Sequence, residues 1–212
     1  MKPSWKRIII LHVILLLLIL IAISIWHPHL KKKNSSPQQI DSMTESTVTN
    51  FHFPISPIYL QNDPRWKDDK MGGSQETLNK AGCFVCCVSM AFAHYGIDLT
   101  PGQLNESLKK NEGYTEQGWV KWGTISKIAQ HKIGLDVPNQ PNLVLIDIAL
   151  KLEEPVLAKI LLKGRVPHWV LIVGKEGQDY LVKDPMGDGQ SLDKLSQFKS
   201  KIYAIRIVKK ME

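Results

Sequence analysis

Apolar residues fill positions 8–26, "IIILHVILLLLILIAISIW", without a single charge; a polar stretch follows to about residue 53, and apolar runs then return at helical or alternating spacing. As a helix, 8–26 would reach about 28 Å, close to the hydrocarbon thickness of a bilayer. No face of it is polar, which argues against a core helix of a soluble domain. The residues that follow, "HPHLKKKNSS", contain no small-x-small cleavage signal, so the pattern predicts a retained signal-anchor rather than a removed signal peptide. Four segments result: a short basic stub at 1–7, a transmembrane signal-anchor helix at 8–26, a flexible polar stalk at 27–55 rich in Ser, Thr, Gln and Asn, and a folded domain at 56–209.

Within the domain, "PIYLQ" reads as a short strand. "CFVCCVSMAFAHYG" has apolar residues at helical spacing and a stop at Gly96. "TPGQLNESLKK" opens with Thr100 as N-cap, Pro101 at the first helical position and Gln103 completing a capping box. "WGTISKIAQHKIG" predicts a third helix ending at Gly134, and "NLVLIDIALKLEE" a fourth, halted before Pro155. The period then changes. "PVLAKILL", "HWVLIVGK", "DYLVKDP" and "KIYAIRIVK" are short runs rich in Val, Ile and Tyr, with "KEGQD" as a hairpin turn between the second and third. Helices first and strands afterwards predict an α+β domain, a helical layer on an antiparallel sheet.

Charge changes the picture in one respect. The net charge of +7 suggests a nucleic-acid partner, but residues 1–40 hold six of the 27 basic side chains and no acid, leaving 21 basic against 20 acidic side chains in the rest. The excess therefore flanks the apolar run, where it would meet anionic lipid, and no basic stripe remains for a phosphate backbone. Lys2, Lys6 and Arg7 before the run nearly balance Lys31, Lys32 and Lys33 after it. A short N-terminal stub and a large C-terminal domain favour a single-pass protein of the cell membrane with its domain extracytoplasmic.

All three cysteines, Cys83, Cys86 and Cys87, lie in "NKAGCFVCCVSMAFAHYG". An odd number that includes two neighbours is no disulfide framework. Zinc needs four ligands; the cluster supplies three sulfurs at most, and His94 lies about 16 Å from Cys83 along the helix axis, so neither a metal nor another cofactor is expected. Cys83 and Cys86 have the C-x-x-C spacing of a redox dithiol, but the residues before them read as loop rather than as the strand of a βαβ unit. The third possibility is one nucleophile at Cys83, after Gly82 at the start of the helix, where the positive end of the dipole favours thiolate. Cys86 and Cys87 would then be small buried residues.

A cysteine nucleophile needs a base, and the base needs an orienting group. His168 opens one apolar strand, and Asp184 ends the next, sixteen residues on. With the turn near residues 176–178, both stand about eight residues from its centre, at the same end of the sheet, on strands about 4.8 Å apart.

Taken in order, "YLQNDPRW", "AGCFVCCVSM", "GWVKWGTI", "GRVPHWVLIVG" and "YLVKDPMGDG" resemble the C39-like cysteine peptidases, which have a papain-like fold, over about residues 56–208. The resemblance implies that Cys83 is the nucleophile, His168 the general base and later acid, and Asp184 the residue orienting the imidazole. It implies that the Gln61 amide binds the oxyanion together with the backbone N–H of Cys83. Family members often carry Thr-Ser where this chain has Cys86-Cys87, a swap that keeps volume and loses hydroxyls. The bacteriocin-processing relatives are fused to a transporter and cut after a double glycine; this sequence shows no ATP-binding motif, and that specificity is not carried over. The expectation is a membrane-anchored, monomeric thiol peptidase acting on a peptide or protein substrate. Its rivals are an inactive binding module of the same fold and a C-x-x-C oxidoreductase, and amidase or transferase chemistry would use the same residues.

Overall fold

The computed structural model describes residues 50–211. The expected signal-anchor and most of the stalk lie outside the described residues, and among the described residues no helix is long and apolar enough to cross a membrane. Seven antiparallel strands form one sheet: β1 (Phe51–His52), β2 (Ile133–Asp136), β3 (Val156–Leu162), β4 (Val166–Glu176), β5 (Asp179–Lys183), β6 (Asp193–Lys194) and β7 (Ala204–Lys210). Their order is β2-β7-β3-β4-β5-β6, with β1 pairing β4 beyond the end of β3. Among the described residues five α-helices precede or interrupt them: α1 (Leu78–Ala81), α2 (Cys83–His94), α3 (Pro101–Lys110), α4 (Trp122–Ile128) and α5 (Leu143–Lys151). The α+β expectation holds.

The long helices form where the pattern placed them, for local reasons. Every residue of α2 from Cys83 to Phe92 is buried, as suits a helix that is apolar on all sides. It ends at Gly96, whose φ of 75° takes the chain out of the helix. The Thr100 hydroxyl accepts from the Gln103 N–H while the Gln103 side chain accepts from the Thr100 N–H, so the capping box of α3 is complete. Asn142 caps α5, its Oδ1 accepting from the Val144 N–H at 2.8 Å.

Three expectations fail. "PIYLQ" is not a strand: residues 57–60 are irregular, held by side chains rather than by the sheet, with the Lys183 Nζ donating to Pro57 O and the Trp66 indole N–H to Leu60 O. The third helix does not reach Gly134. It stops at Ile128, Gln130 and His131 take positive φ, and Ile133–Asp136 turns back as an edge strand on β7. The folded unit also begins before residue 56, inside the expected stalk, because Phe51–His52 pairs with β4 and Phe53 is buried in the core. That pairing depends on Gly174, where a Cβ would lie 2.3 Å from the Phe51 carbonyl oxygen.

The β4–β5 hairpin closes one position later than the sequence suggests, with Glu176 opposite Asp179 and Gly177 at φ 62° in the loop. Uninterrupted, that register would set Asp184 opposite Leu171 and turn it away from the face that carries His168. A β-bulge intervenes. Val173 is an extra residue on β4, so Leu171 pairs with Lys183 instead. The next position outward, Asp184, then falls opposite Val170 and shares a face with His168. The Val173 carbonyl oxygen accepts from the Phe53 N–H at 2.8 Å, so the N-terminal segment holds the bulge.

Candidate active site

Cys83 occupies the first position of α2, after Gly82. Helix α1 runs directly into α2 with a break at this glycine. A Cβ at Gly82 would lie 2.4 Å from the Leu78 carbonyl oxygen, so no other residue lets the two segments abut. In an unbroken helix the Cys83 N–H would bond the carbonyl of Asn79. Here the Gln61 Nε2 donates to Asn79 O instead. The first residue of a helix has no intrahelical acceptor, and Gln61 has taken the one nearest to hand. The Asn79 carbonyl is thus engaged by the Gln61 side chain rather than by the Cys83 N–H.

Gln61 is positioned from the other side of the site as well. Its backbone N–H donates to Pro185 O at 2.9 Å. Asp184 therefore sits in a turn that holds the Gln61 segment, and the Asp184 Oδ1 accepts from the Met186 N–H at 2.8 Å within the same turn.

The His168 Nε2 donates to Asp184 Oδ1 at 2.6 Å. Asp184 occupies Nε2, which leaves Nδ1 as the ring nitrogen open to the neighbouring Cys83 thiol. Burial alone would push the imidazole pKa down. The hydrogen bonds to Asp184 and Cys83, and the charges on both, outweigh burial and raise it from 6.5 to about 9. At neutral pH the ring is therefore an imidazolium between an acid and a sulfur. Because the folded-state pKa is the higher one, the stability this protonation contributes is full below about 6.5 and is lost as pH rises through about 9.

All four residues singled out in the sequence come together here, each buried, with Cys83 the most exposed at 8%. Cys86 and Cys87 are fully buried; burial first, then the neighbouring Cys83, pushes both thiols well above the usual range. Cys87 is not mere filler. Its S–H donates to Trp169 O at 3.4 Å, tying α2 to β4 one residue beyond His168. The sulfur thus keeps a donor where a serine hydroxyl would have supplied one. The C-x-x-C reading is left with a second thiol that water does not reach. His94 is remote from all of this, bonded through Nε2 to Glu153 O.

Lys183 was missed by sequence reasoning, because an alternating strand gives no sign that a lysine will point inward. It is 3% exposed, makes one hydrogen bond at 3.2 Å to Pro57 O, and burial lowers its pKa to about 8. A group whose folded pKa is depressed from 10.5 to about 8 destabilises the fold while charged in both states, and the penalty fades as pH rises from about 8 to 10.5. Lys183→Met should therefore stabilise the domain by roughly 2–3 kcal/mol at pH 7 and by much less at pH 10.5. Urea denaturation at the two pH values checks this; equal effects at both would show that the ammonium is solvated.

A thiol at the start of a helix, and an imidazole bonded to a carboxylate on a hairpin, are thus gathered in one α+β domain. The sequence model of the Peptidase C39 family matches residues 75–210, and the chain belongs to that family. A curated relative, the mesentericin-Y105 transport/processing ATP-binding protein MesD of Leuconostoc mesenteroides, is 29% identical over 110 residues. The match covers 51% of this chain and 14% of that protein, so the chain spans a small part of the relative's length. Among solved structures, the peptidase domain of Streptococcus ComA, a bi-functional ABC transporter involved in a quorum sensing pathway, is 16% identical with a TM-score of 0.45, covering 60% of this chain and 89% of that one. A protein from Bacillus anthracis described as a C39-like peptidase is 13% identical with a TM-score of 0.49, covering 76% of this chain and 98% of that one.

Proposed function

We propose that this chain is a thiol peptidase that hydrolyses peptide bonds through Cys83, His168, Asp184 and Gln61. The observation that carries the reading is the buried His168 imidazole bonded to Asp184 Oδ1 at 2.6 Å, with Cys83 close enough to help raise its pKa against the pull of burial. The Cys83 sulfur attacks the substrate carbonyl carbon, and the carbonyl π pair moves onto oxygen. The Cys83 N–H and the free Gln61 N–H donate to that oxyanion. The tetrahedral centre collapses to a thioester as the imidazolium gives a proton to the departing amine. Neutral His168 then takes a proton from water, whose oxygen attacks the thioester and releases acid and thiol. The uncharged apolar run at 8–26 supports a further part of the reading, an anchor holding the domain at the extracytoplasmic face of the cell membrane.

Iodoacetamide labelling across pH, with adducts mapped by mass, tests the nucleophile. Cys83 should be alkylated far faster than Cys86 or Cys87 and should remain reactive at pH 6, and His168→Ala should suppress that low-pH reactivity by about 10-fold or more. Equal labelling of the three thiols, or a Cys83 profile indifferent to His168→Ala, rules the assignment out.

A further inference from the structure

On the sheet face opposite to that of His168 stands a cation, Arg206, that the proposed chemistry does not use. Arg206 of β7 lies opposite Leu157 of β3, and Leu157 lies opposite Leu171 of β4. Such a row places Arg206 on the sheet face shared by Leu171 and Trp169. Its guanidinium carbon is 5.5 Å from the ring centre of Trp169 and 4.8 Å from that of Trp122, at the start of α4. Phe84 completes the group, its ring centre 4.9 Å from Trp122 and 5.2 Å from Trp169. Phe84 directly follows Cys83, and Trp169 directly follows His168. Arg206 thus shares one aromatic cluster with the residues that follow Cys83 and His168 in the chain.

Its polar contacts are few. Among the described residues no carboxylate lies within ion-pair range of Arg206. Its one hydrogen bond runs from Nη1 to Ile205 O at 2.6 Å, and its Nε–H is buried with no acceptor. A guanidinium carries five N–H donors. Indole faces attract its charge but accept none of those bonds in the guanidinium plane. The rings hold the group at a fixed orientation, at low entropic cost to a ligand, and leave the edge of the fork for an oxyanion. An apolar occupant would strip water from those donors and replace nothing.

We propose that Arg206 is a specificity-determining residue that binds a carboxylate of the peptide substrate a few residues from the scissile bond. The carboxylate comes from an Asp or Glu side chain or from a free C-terminus, the two sources a peptide offers. The proposal rests on the peptidase reading for its substrate class, but its test does not require turnover.

The full chain carrying Cys83→Ala, in detergent, is titrated with fluorescein-labelled hexapeptide pools and followed by anisotropy. One pair of pools differs by Glu against Gln at internal positions, the other by a free against an amidated C-terminus. At least one acidic pool should bind about 10-fold more tightly than its neutral partner. Arg206→Gln should erase that difference without weakening the neutral pools, and Arg206→Lys should restore part of it by returning the charge without the fork. The pair showing the preference identifies the source of the carboxylate. Absence of any preference, or a preference that survives Arg206→Gln, overturns the proposal. If Arg206→Gln does not fold, retention of the full preference by Arg206→Lys overturns it equally, since a point charge cannot replace bidentate binding. Failure here leaves the alkylation profile of Cys83 untouched, and loss of that profile's dependence on His168 leaves this binding result standing, so the two readings fail separately.

Discussion

Asp184→Asn is expected to lower kcat/KM by up to about 10⁴-fold, and Asp184→Ala by at least as much. The carboxylate performs three tasks at once. It accepts from His168 Nε2, it supplies the negative charge that helps lift the imidazole to about 9, and it accepts the Met186 N–H that closes its own turn. Alanine removes all three. The buried imidazole would lose its partner, burial would pull its pKa down unopposed, and the turn carrying Pro185 O, which anchors Gln61, would loosen. Asparagine keeps an acceptor for both N–H groups and loses only the charge. The pH profile separates these cases. In the wild-type chain the imidazolium is lost as pH rises through about 9, so activity should fall on that alkaline limb. In both variants the limb should move to lower pH, further for alanine. A limb that stays in place would mean that Asp184 is structural.

Gln61→Ala should lower kcat by about 10²–10³-fold with little change in KM, because the amide contributes most when negative charge develops on the substrate oxygen. A second effect follows from its contact with Asn79. With the amide gone, Asn79 O is released, and the Cys83 N–H four residues on becomes its natural donor. One substitution would then cost both oxyanion donors and place the kcat loss at the upper end of the range. Gln61→Glu, which sets a negative charge where the oxyanion forms, should be worse than alanine. Steady-state kinetics on any cleaved peptide decides it; a rise in KM at constant kcat would reassign Gln61 to ground-state substrate binding.

Cys83, His168 and Asp184 were legible because each carries its chemistry on its face and sits at or beside the end of an element with strong local signals, whereas Gln61 was marked only by the family resemblance. Gly82 and the apolar run after it mark the start of α2, and Pro167 with the following Val-Leu-Ile-Val marks β4. The short elements were not legible. Strand β1 has two residues, α1 has four, and β2 owes its strand state to the free edge of β7. None of the three has the length at which periodicity distinguishes helix, strand and loop. "PIYLQ" was misread for the opposite reason: its pattern suits a strand, yet Lys183, Trp66 and the Pro185 turn hold it out of the sheet.

The pairing of His168 with Asp184 shows where local information ends. Counting outward from a turn placed too early brought the two residues together, and in the folded chain they do meet, but by another route. The turn lies further along, and that register by itself would have separated them. The extra residue at Val173 restores the shared face, and the bulge is held by an N–H from Phe53, 120 positions earlier in the chain.

From its own chain alone this protein declares an apolar N-terminal run, an α+β order of elements, and the identities of a thiol, an imidazole and a carboxylate suited to acyl transfer; the amide at Gln61 entered only through the family resemblance. Those features depend on composition and on periods of a few residues, which neighbours along the chain impose. Side-chain facing across a sheet is different, since a shift of one residue reverses it and only contacts between distant segments can pin it. Tertiary structure therefore decided that Asp184 faces His168, that the Gln61 amide takes the Asn79 carbonyl, and that Arg206 packs on two indoles with no carboxylate in ion-pair range among the described residues.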